Sequence, residues 1–226
     1  MRARQLGYTS LGLTDTADLG AVPRFVTEAR TIAKDPACRH AASHTEEPCS
    51  VCERPLRPII GAELNVDGHP AAFLVRDARG CRNLAALITA ARVGAWSKWD
   101  KATQGRRRGR PQITWEQLAA RSEGLHALTG PASGEIASRL RAGDDAGAER
   151  ALGRWRDVFD TRLAIELQLH HVSSAEAALA GALIDLAERH QVPWVVAHDP
   201  RYVDDTSRLV HDMLTALRHD MDLATA

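Results

Sequence analysis

The sequence predicts an α/β fold in which short strands alternate with helices around a barrel-like sheet. Three observations predict it. Val192-Pro193-Trp194-Val195-Val196-Ala197 is a short apolar run with β-branched residues, the pattern of a fully buried strand. It follows a stretch from Ala175 to His190 in which Leu179, Leu183 and Leu186 recur at helical spacing. A helix feeding a buried strand is half of a βαβ unit. The run then ends in polar His198 and Asp199, and other apolar runs end alike. Leu11 to Leu13 leads into Thr14 and Asp15, Pro58 to Ala62 into Glu63, His126 to Leu128 into Thr129 and Gly130, and Leu163 to Ile165 into Glu166. Polar groups at the carboxyl ends of parallel strands are where such folds place their chemistry.

Taken in order, the chain opens on Gln5-Leu6-Gly7-Tyr8, a helix end with a glycine cap, and a strand follows at once. So little helix before the cap suggests that upstream sequence is missing. Pro23 to Ala33 reads as a helix with Pro in its first turn. Residues 35–58 form a polar, Pro-containing insertion with Cys38, His40, His44, Cys49 and Cys52. Cys49-Ser50-Val51-Cys52 is half of a structural zinc site, and Cys38 with His40 or His44 can complete four ligands. The other reading of this segment is a surface loop with incidental thiols. Leu64 to Val66, a turn at Asp67-Gly68, and Ala71 to Val75 read as a hairpin.

Asn83 to Arg92 is a short helix. Residues 93–111 are the most basic run, a loop carrying Trp96, Trp99, Arg106, Arg107, Arg108 and Arg110. Arginine neutralises phosphates and tryptophan stacks on bases, so the loop is a candidate nucleic-acid contact; the alternative is a hydrated connector. Thr114 and Gln117 form a capping box ahead of a helix from Trp115 to Arg121. Ser133 to Arg141 and Ala146 to Phe159 are further helices, and Glu166 to His171 is the penultimate strand and its exit. Thr206 to Arg218 is a closing helix with Leu209, Met213, Leu214 and Leu217 on one side.

Composition narrows the function classes. The 226 residues fit one barrel-sized domain, 1–226. Formal net charge is zero, so any affinity for nucleic acid must come from a local patch. The absence of a long apolar span or a signal-type start points to a cytoplasmic chain with no membrane partner. Four cysteines in a chain this long do not make a secreted disulfide scaffold.

Several motifs, in this order, resemble the PHP (polymerase and histidinol phosphatase) domain, most closely the version that opens the alpha subunit of bacterial DNA polymerase III in its error-prone branch. They are Leu6-Gly7-Tyr8 through Leu13-Thr14-Asp15; Gly61-Ala62-Glu63-Leu64; Gly80-Cys81-Arg82-Asn83-Leu84; Gly109-Arg110-Pro111 with Thr114 to Leu118; Leu128-Thr129-Gly130 with Gly134; and Val195 to Tyr202 with the closing helix. The resemblance implies a distorted (β/α)₇ barrel holding up to three metal ions at its strand ends, here lacking its first strand. That strand carries a His-x-His ligand motif in the family, and nothing in this chain matches it. Without it, two sheet edges stand unpaired.

Other departures follow the same direction. The family's Thr-Asp-His stands as Thr14-Asp15-Thr16. Where active members place Cys or His after Leu-Thr-Gly, this chain has Pro131. The closing His ligand stands as Arg201, a permanent cation. Glu63 and Asp199 remain as the residual ligands that the resemblance implies, with Asp15 and His198 as weaker ones, for zinc or manganese. His69, Glu166 and His170 come near by strand order alone.

Three functions compete: a non-catalytic PHP domain of a polymerase associated with replication or error-prone synthesis, partnered by DNA and replisome proteins; a metal-dependent phosphoesterase; and a DNA- or protein-binding module. On the first reading the polypeptide cannot polymerise alone.

Overall fold

The computed structural model describes residues 3, 6–33, 56–100, 105–170, 173–198, 200 and 202–222. In order, these form β1 (Ser10–Leu13), α1 (Val22–Ala33), β2 (Arg57–Val66), β3 (His69–Val75), α2 (Ala78–Gly94), β4 (Trp96–Asp100), β5 (Gly105–Arg108), β6 (Gln112–Ile113) and α3 (Trp115–Ala119). Then come β7 (Leu125–Leu128), α4 (Glu135–Arg141), α5 (Asp145–Phe159), a 3₁₀ turn (Asp160–Arg162), β8 (Leu163–Leu167), α6 (Ser174–Arg189), β9 (Trp194–Val196) and α7 (Asp205–His219).

The main sheet runs β1-β2-β3-β7-β8-β9, with β6 added beside the end of β2. It curls into a half-barrel. β1, β2, β7, β8 and β9 point one way and β3 points back. The reversal is made by the turn at Asp67 (φ 48°) and Gly68 (φ 90°), the two positive φ angles that a tight hairpin turn requires. Among the described residues, no strand joins β9 back to β1.

Helices cover the sheet. α2 packs on β3, β6 and β7, and α5 and α6 pack on β8. Phe73 of β3 lies at the centre, with its ring 6.2 Å from Trp155 and 6.1 Å from Phe159 of α5. Trp115 meets Trp155 edge-on at 5.1 Å. Burial of such rings is the largest single apolar gain in a core of this size. Leu84, Leu87, Leu163, Ile165 and Leu186 complete the buried cluster. A buried carboxylate ties α4 to α5. Glu135 accepts from Arg154 at 2.9 and 2.8 Å and from Arg139 at 3.3 Å, while the Arg154 guanidinium also lies 4.3 Å over the Trp115 ring.

Several expectations change. The run at 192–197 was expected to be a fully buried strand. It is a three-residue strand, Trp194–Val196, whose side chains are all exposed. The reason is position: β9 ends the sheet and pairs only with β8 among the described residues. The strand buried along its whole length is β8. The basic segment expected to be a loop is a hairpin, because β4 and β5 pair antiparallel as a separate small sheet. The closing helix was expected to carry Leu209, Met213, Leu214 and Leu217 on one side, and that side is not covered. All four are exposed, Leu217 at 78%. The Cys- and His-bearing positions Cys38, His40, His44, Cys49 and Cys52 lie outside the described residues.

Candidate functional site

The site is built from strand exits. At the β1 exit, Thr16 forms a parallel bridge with Glu63 of β2. The Glu63 amide donates to the Asp15 carbonyl at 3.2 Å, and the Ala17 amide donates to the Glu63 carbonyl at 2.8 Å. This pairing brings the Thr16 hydroxyl onto the carboxylate, donating to Glu63 Oε1 at 3.3 Å. Glu63 was expected at a strand end. It lies inside a ten-residue strand, because β2 continues past it to make the hairpin with β3.

The exit loop is held from behind. Ala17 is buried with φ 49°, an unusual conformation for a residue with a Cβ. Arg92 of α2 fixes it, with Nε donating to the Ala17 carbonyl at 2.6 Å and Nη2 to Asp18 Oδ2 at 2.7 Å. The Gly20 amide bonds Asp18 Oδ1 at 2.7 Å. That backbone bond, with Arg92 beside it, holds the Asp18 carboxyl below its ordinary range. Sequence reading missed this anchor, because the two partners lie 74 residues apart.

The β7 exit is shaped by close backbone approach. Gly130 has φ +91°, and a Cβ there would sit 2.0 Å from the Pro70 carbonyl oxygen; one at Gly134 would sit 2.5 Å from that of Thr129. Only glycine fits both positions. Between them, Pro131 presents a ring with no lone pair for a metal. Thr129 is buried and its hydroxyl accepts from the Glu166 amide at 3.1 Å. Glu166, 6% exposed, lies within β8 rather than at its exit, and its Oε1 accepts from Gln168 Nε2 at 2.8 Å.

A cleft of about 470 Å³ opens beside these exits. Pro131, Arg141, Glu166, Gln168, His170 and Glu176 supply much of its wall. The His170 amide donates to Glu176 Oε1 at 2.6 Å, which closes the loop after β8 onto the start of α6. His170 and Glu166 thus share the cleft. Glu63 stands three strands away from Glu166 in the sheet order. His69 sits at the far end of the hairpin, three pairs along from the Glu63–Ala72 pair or about 10 Å. Its Nδ1 lies 3.3 Å from the Ser133 carbonyl. His198 is exposed just beyond β9. Asp199 and Arg201 lie outside the described residues.

The structure sets Asp15 and Thr16 beside Glu63, and it does not gather His69, His170 and His198 with them. Among the described residues, no group of three or more His, Cys, Asp or Glu side chains is placed to hold a metal ion. A multinuclear hydrolytic centre needs several neutral imidazoles and carboxylates converging on two or three ions. In the basic hairpin, Trp96 is paired with Arg108 and Trp99 with Arg106. Arg110 follows, exposed, after the end of β5. None of the described helices is long and apolar enough to cross a membrane.

The comparisons with known proteins agree with the architecture. The family model of the PHP domain matches residues 1–170. An error-prone DNA polymerase of Symbiobacterium thermophilum is 30% identical over 94% of this chain, and one of Pseudomonas fluorescens is 29% identical over all of it; each match covers 18% of the polymerase. The DNA polymerase III alpha subunit of Pseudomonas aeruginosa is 31% identical over 70% of the chain, covering 13% of that subunit. The chain thus spans less than a fifth of the length of these relatives. The curled, mostly parallel sheet is that of a distorted PHP-type barrel, and the chain belongs to the PHP domain family.

Proposed function

We propose that this chain is a non-catalytic PHP domain of the kind found in error-prone and replicative DNA polymerases, acting as a scaffold beside DNA and polymerase proteins in the cytoplasm. The observation that carries the reading is the state of the strand exits. A hydroxyl rather than an imidazole stands on Glu63. A proline stands where active family members place a metal ligand. Both changes replace the imidazole or thiolate donors that a hydrolytic metal cluster uses. The domain keeps the backbone geometry of the exits, through Arg92 and the paired glycines, without the donors. A scaffold needs the first and not the second.

The test is hydrolysis. The purified chain is expected to have no polymerase activity and no Mn²⁺- or Zn²⁺-dependent cleavage of a phosphodiester. Robust cleavage abolished by Glu63→Ala and by Asp199→Ala would sink the reading and establish the second one, a metal-dependent phosphoesterase.

The cysteine-rich insertion carries a separate proposal, structural zinc held by Cys38, Cys49 and Cys52 with His40 or His44. One equivalent of zinc should copurify under reducing conditions and be lost in Cys49→Ser. A metal-free wild-type protein would return the segment to a plain surface loop.

A further inference from the structure

We propose that Arg76, His126 and Arg162 form a binding site for the doubly charged phosphate of a small phosphate monoester, at the amino ends of the parallel strands. The sheet gathers these residues. His126 of β7 pairs with Leu74 of β3. Just past β3, the Arg76 amide donates to the Gly124 carbonyl at 2.9 Å, which carries the same ladder further. Residues two apart on a strand share a face. Arg76 therefore lies diagonally across from His126, a spacing of about 7–8 Å that a long side chain spans. On the other flank Ala127 pairs in parallel with Leu163, which sets Arg162 alongside His126. Because β3 runs against its neighbours, all three residues come to the end of the sheet away from the exits of β7 and β8.

Charge there is unbalanced. Among the described residues, no carboxylate pairs with Arg76, His126 or Arg162. Of the acidic residues beside them in the chain, Asp77 Oδ1 accepts from the Gly80 amide at 2.8 Å, Glu123 pairs with Arg79, and Asp160 is exposed in the 3₁₀ turn. Arg162 directs its donors to neutral carbonyls, Nη1 to Ser122 at 2.6 Å and Leu125 at 3.0 Å, and Nη2 to Val158 at 3.0 Å. It is a fixed cation. Arg76 is exposed, so its guanidinium can close on a ligand. The partly buried ring of His126 feels both cations, which act with burial to keep it neutral. Two cations and a neutral imidazole select a ligand by charge and by proton. A phosphate monoester loses its last proton at about pH 6, close to where the imidazole titrates, so the two can share one proton in a charge-assisted hydrogen bond. The Arg76 fork takes the other oxygens. A phosphodiester brings one charge fewer and no proton to share. The inference goes beyond the scaffold reading and is independent of hydrolysis, so either can fail without the other.

The experiment is an NMR titration of the whole chain with methyl phosphate at constant ionic strength, following the His126 ring proton, whose signal is assigned by its loss in His126→Gln. At neutral pH the signal should move saturably at millimolar methyl phosphate. The pKa of His126 should rise when the ligand is bound, because a dianion favours the imidazolium. Dimethyl phosphate should bind more weakly. Arg76→Ala should weaken methyl phosphate binding about 10- to 150-fold, the loss of one charged contact, and Arg76→Lys should recover part of it. Arg79→Ala removes a neighbouring cation that already pairs with Glu123 and should leave the affinity unchanged. The proposal is overturned by no saturable shift with methyl phosphate, by equal affinity for the two phosphates, or by Arg76→Ala binding like wild type or no worse than Arg79→Ala. It is also overturned if a 5′-phosphorylated oligo-dT binds tighter than methyl phosphate, which would place the phosphate on a nucleic-acid end.

Discussion

Single residues explain the motifs better than any catalytic role does. Gly80 faces Gly124 so closely that a Cβ on Gly80 would lie 1.9 Å from the Gly124 carbonyl oxygen, and Asn83 Nδ2 donates to the Glu123 carbonyl at 2.8 Å. The Gly-Cys-Arg-Asn stretch is thus a packing device between α2 and the turn before β7. Titration is also structural. His126 on β7 is held below its ordinary value of 6.5, first by burial and then by the nearby Arg76 and Arg162 cations. Arg162 is itself fixed by bonds to the carbonyls of Ser122, Leu125 and Val158. The unfolded chain protonates this histidine more readily than the folded one does. Stability from keeping it neutral is therefore present above pH 6.5 and is lost as pH falls below that value toward the folded pKa. Urea melts of wild type and His126→Gln at pH 7.5 and 5.5 check this: the wild type should lose more stability on acidification than the variant. Equal losses would mean that His126 carries no such linkage.

At the level of elements, legibility followed local chemistry. The Thr114 capping box is present with both bonds, Gln117 N to Thr114 Oγ1 at 3.3 Å and Thr114 N to Gln117 Oε1 at 3.0 Å. Those signals lie within four residues and need no tertiary partner. Because α3 is only five residues long, it depends on that cap. Thr114→Ala should lower unfolding stability by about 1 kcal/mol, and Thr114→Ser by much less. A chemical-denaturation midpoint unmoved by Thr114→Ala would show that packing of Trp115 and Leu118 alone holds the turn. The helices at 22–33 and 174–189 and the Asp67-Gly68 hairpin were readable for the same reason. β9 was not, because an apolar run reports what a strand can bury and not whether a neighbour is there to cover it. Nor was the β4–β5 pairing legible, since arginines and lysines obscure the alternation by which strands are recognised. At the site, Glu63 was found through its Gly-x-Glu setting. Arg92, Gln168 and Glu176 were invisible to local reading, because their roles come from distant parts of the chain or from the cleft wall.

The molecule as a whole is asymmetric in how well its parts are covered. Its centre, from β2 through β8, is packed against helices, whereas β9 and α7 present Trp194, Val195, Val196, Leu209, Val210 and Met213 to solvent. Exposed apolar residues on a strand that, among the described residues, pairs on one side only favour association. β2 stands at the other extreme. On one flank it meets β1 through residues 57–60, then Thr16 at Glu63, then β6 at Asn65 and Val66; on the other it meets β3 from Gly61 to Val66. It is the strand through which both halves of the chain are sewn together. The consequence is one of time. Backbone amides exchange with deuterated solvent when the structure around them opens, and strands held on both sides open last. In a hydrogen-exchange experiment the amides of Ala62 to Val66 should therefore persist longest, after those of β9 and α7 have already exchanged. If β9 outlasted β2, the order of opening would run opposite to the order of coverage, and the molecule would be unlocked from its middle.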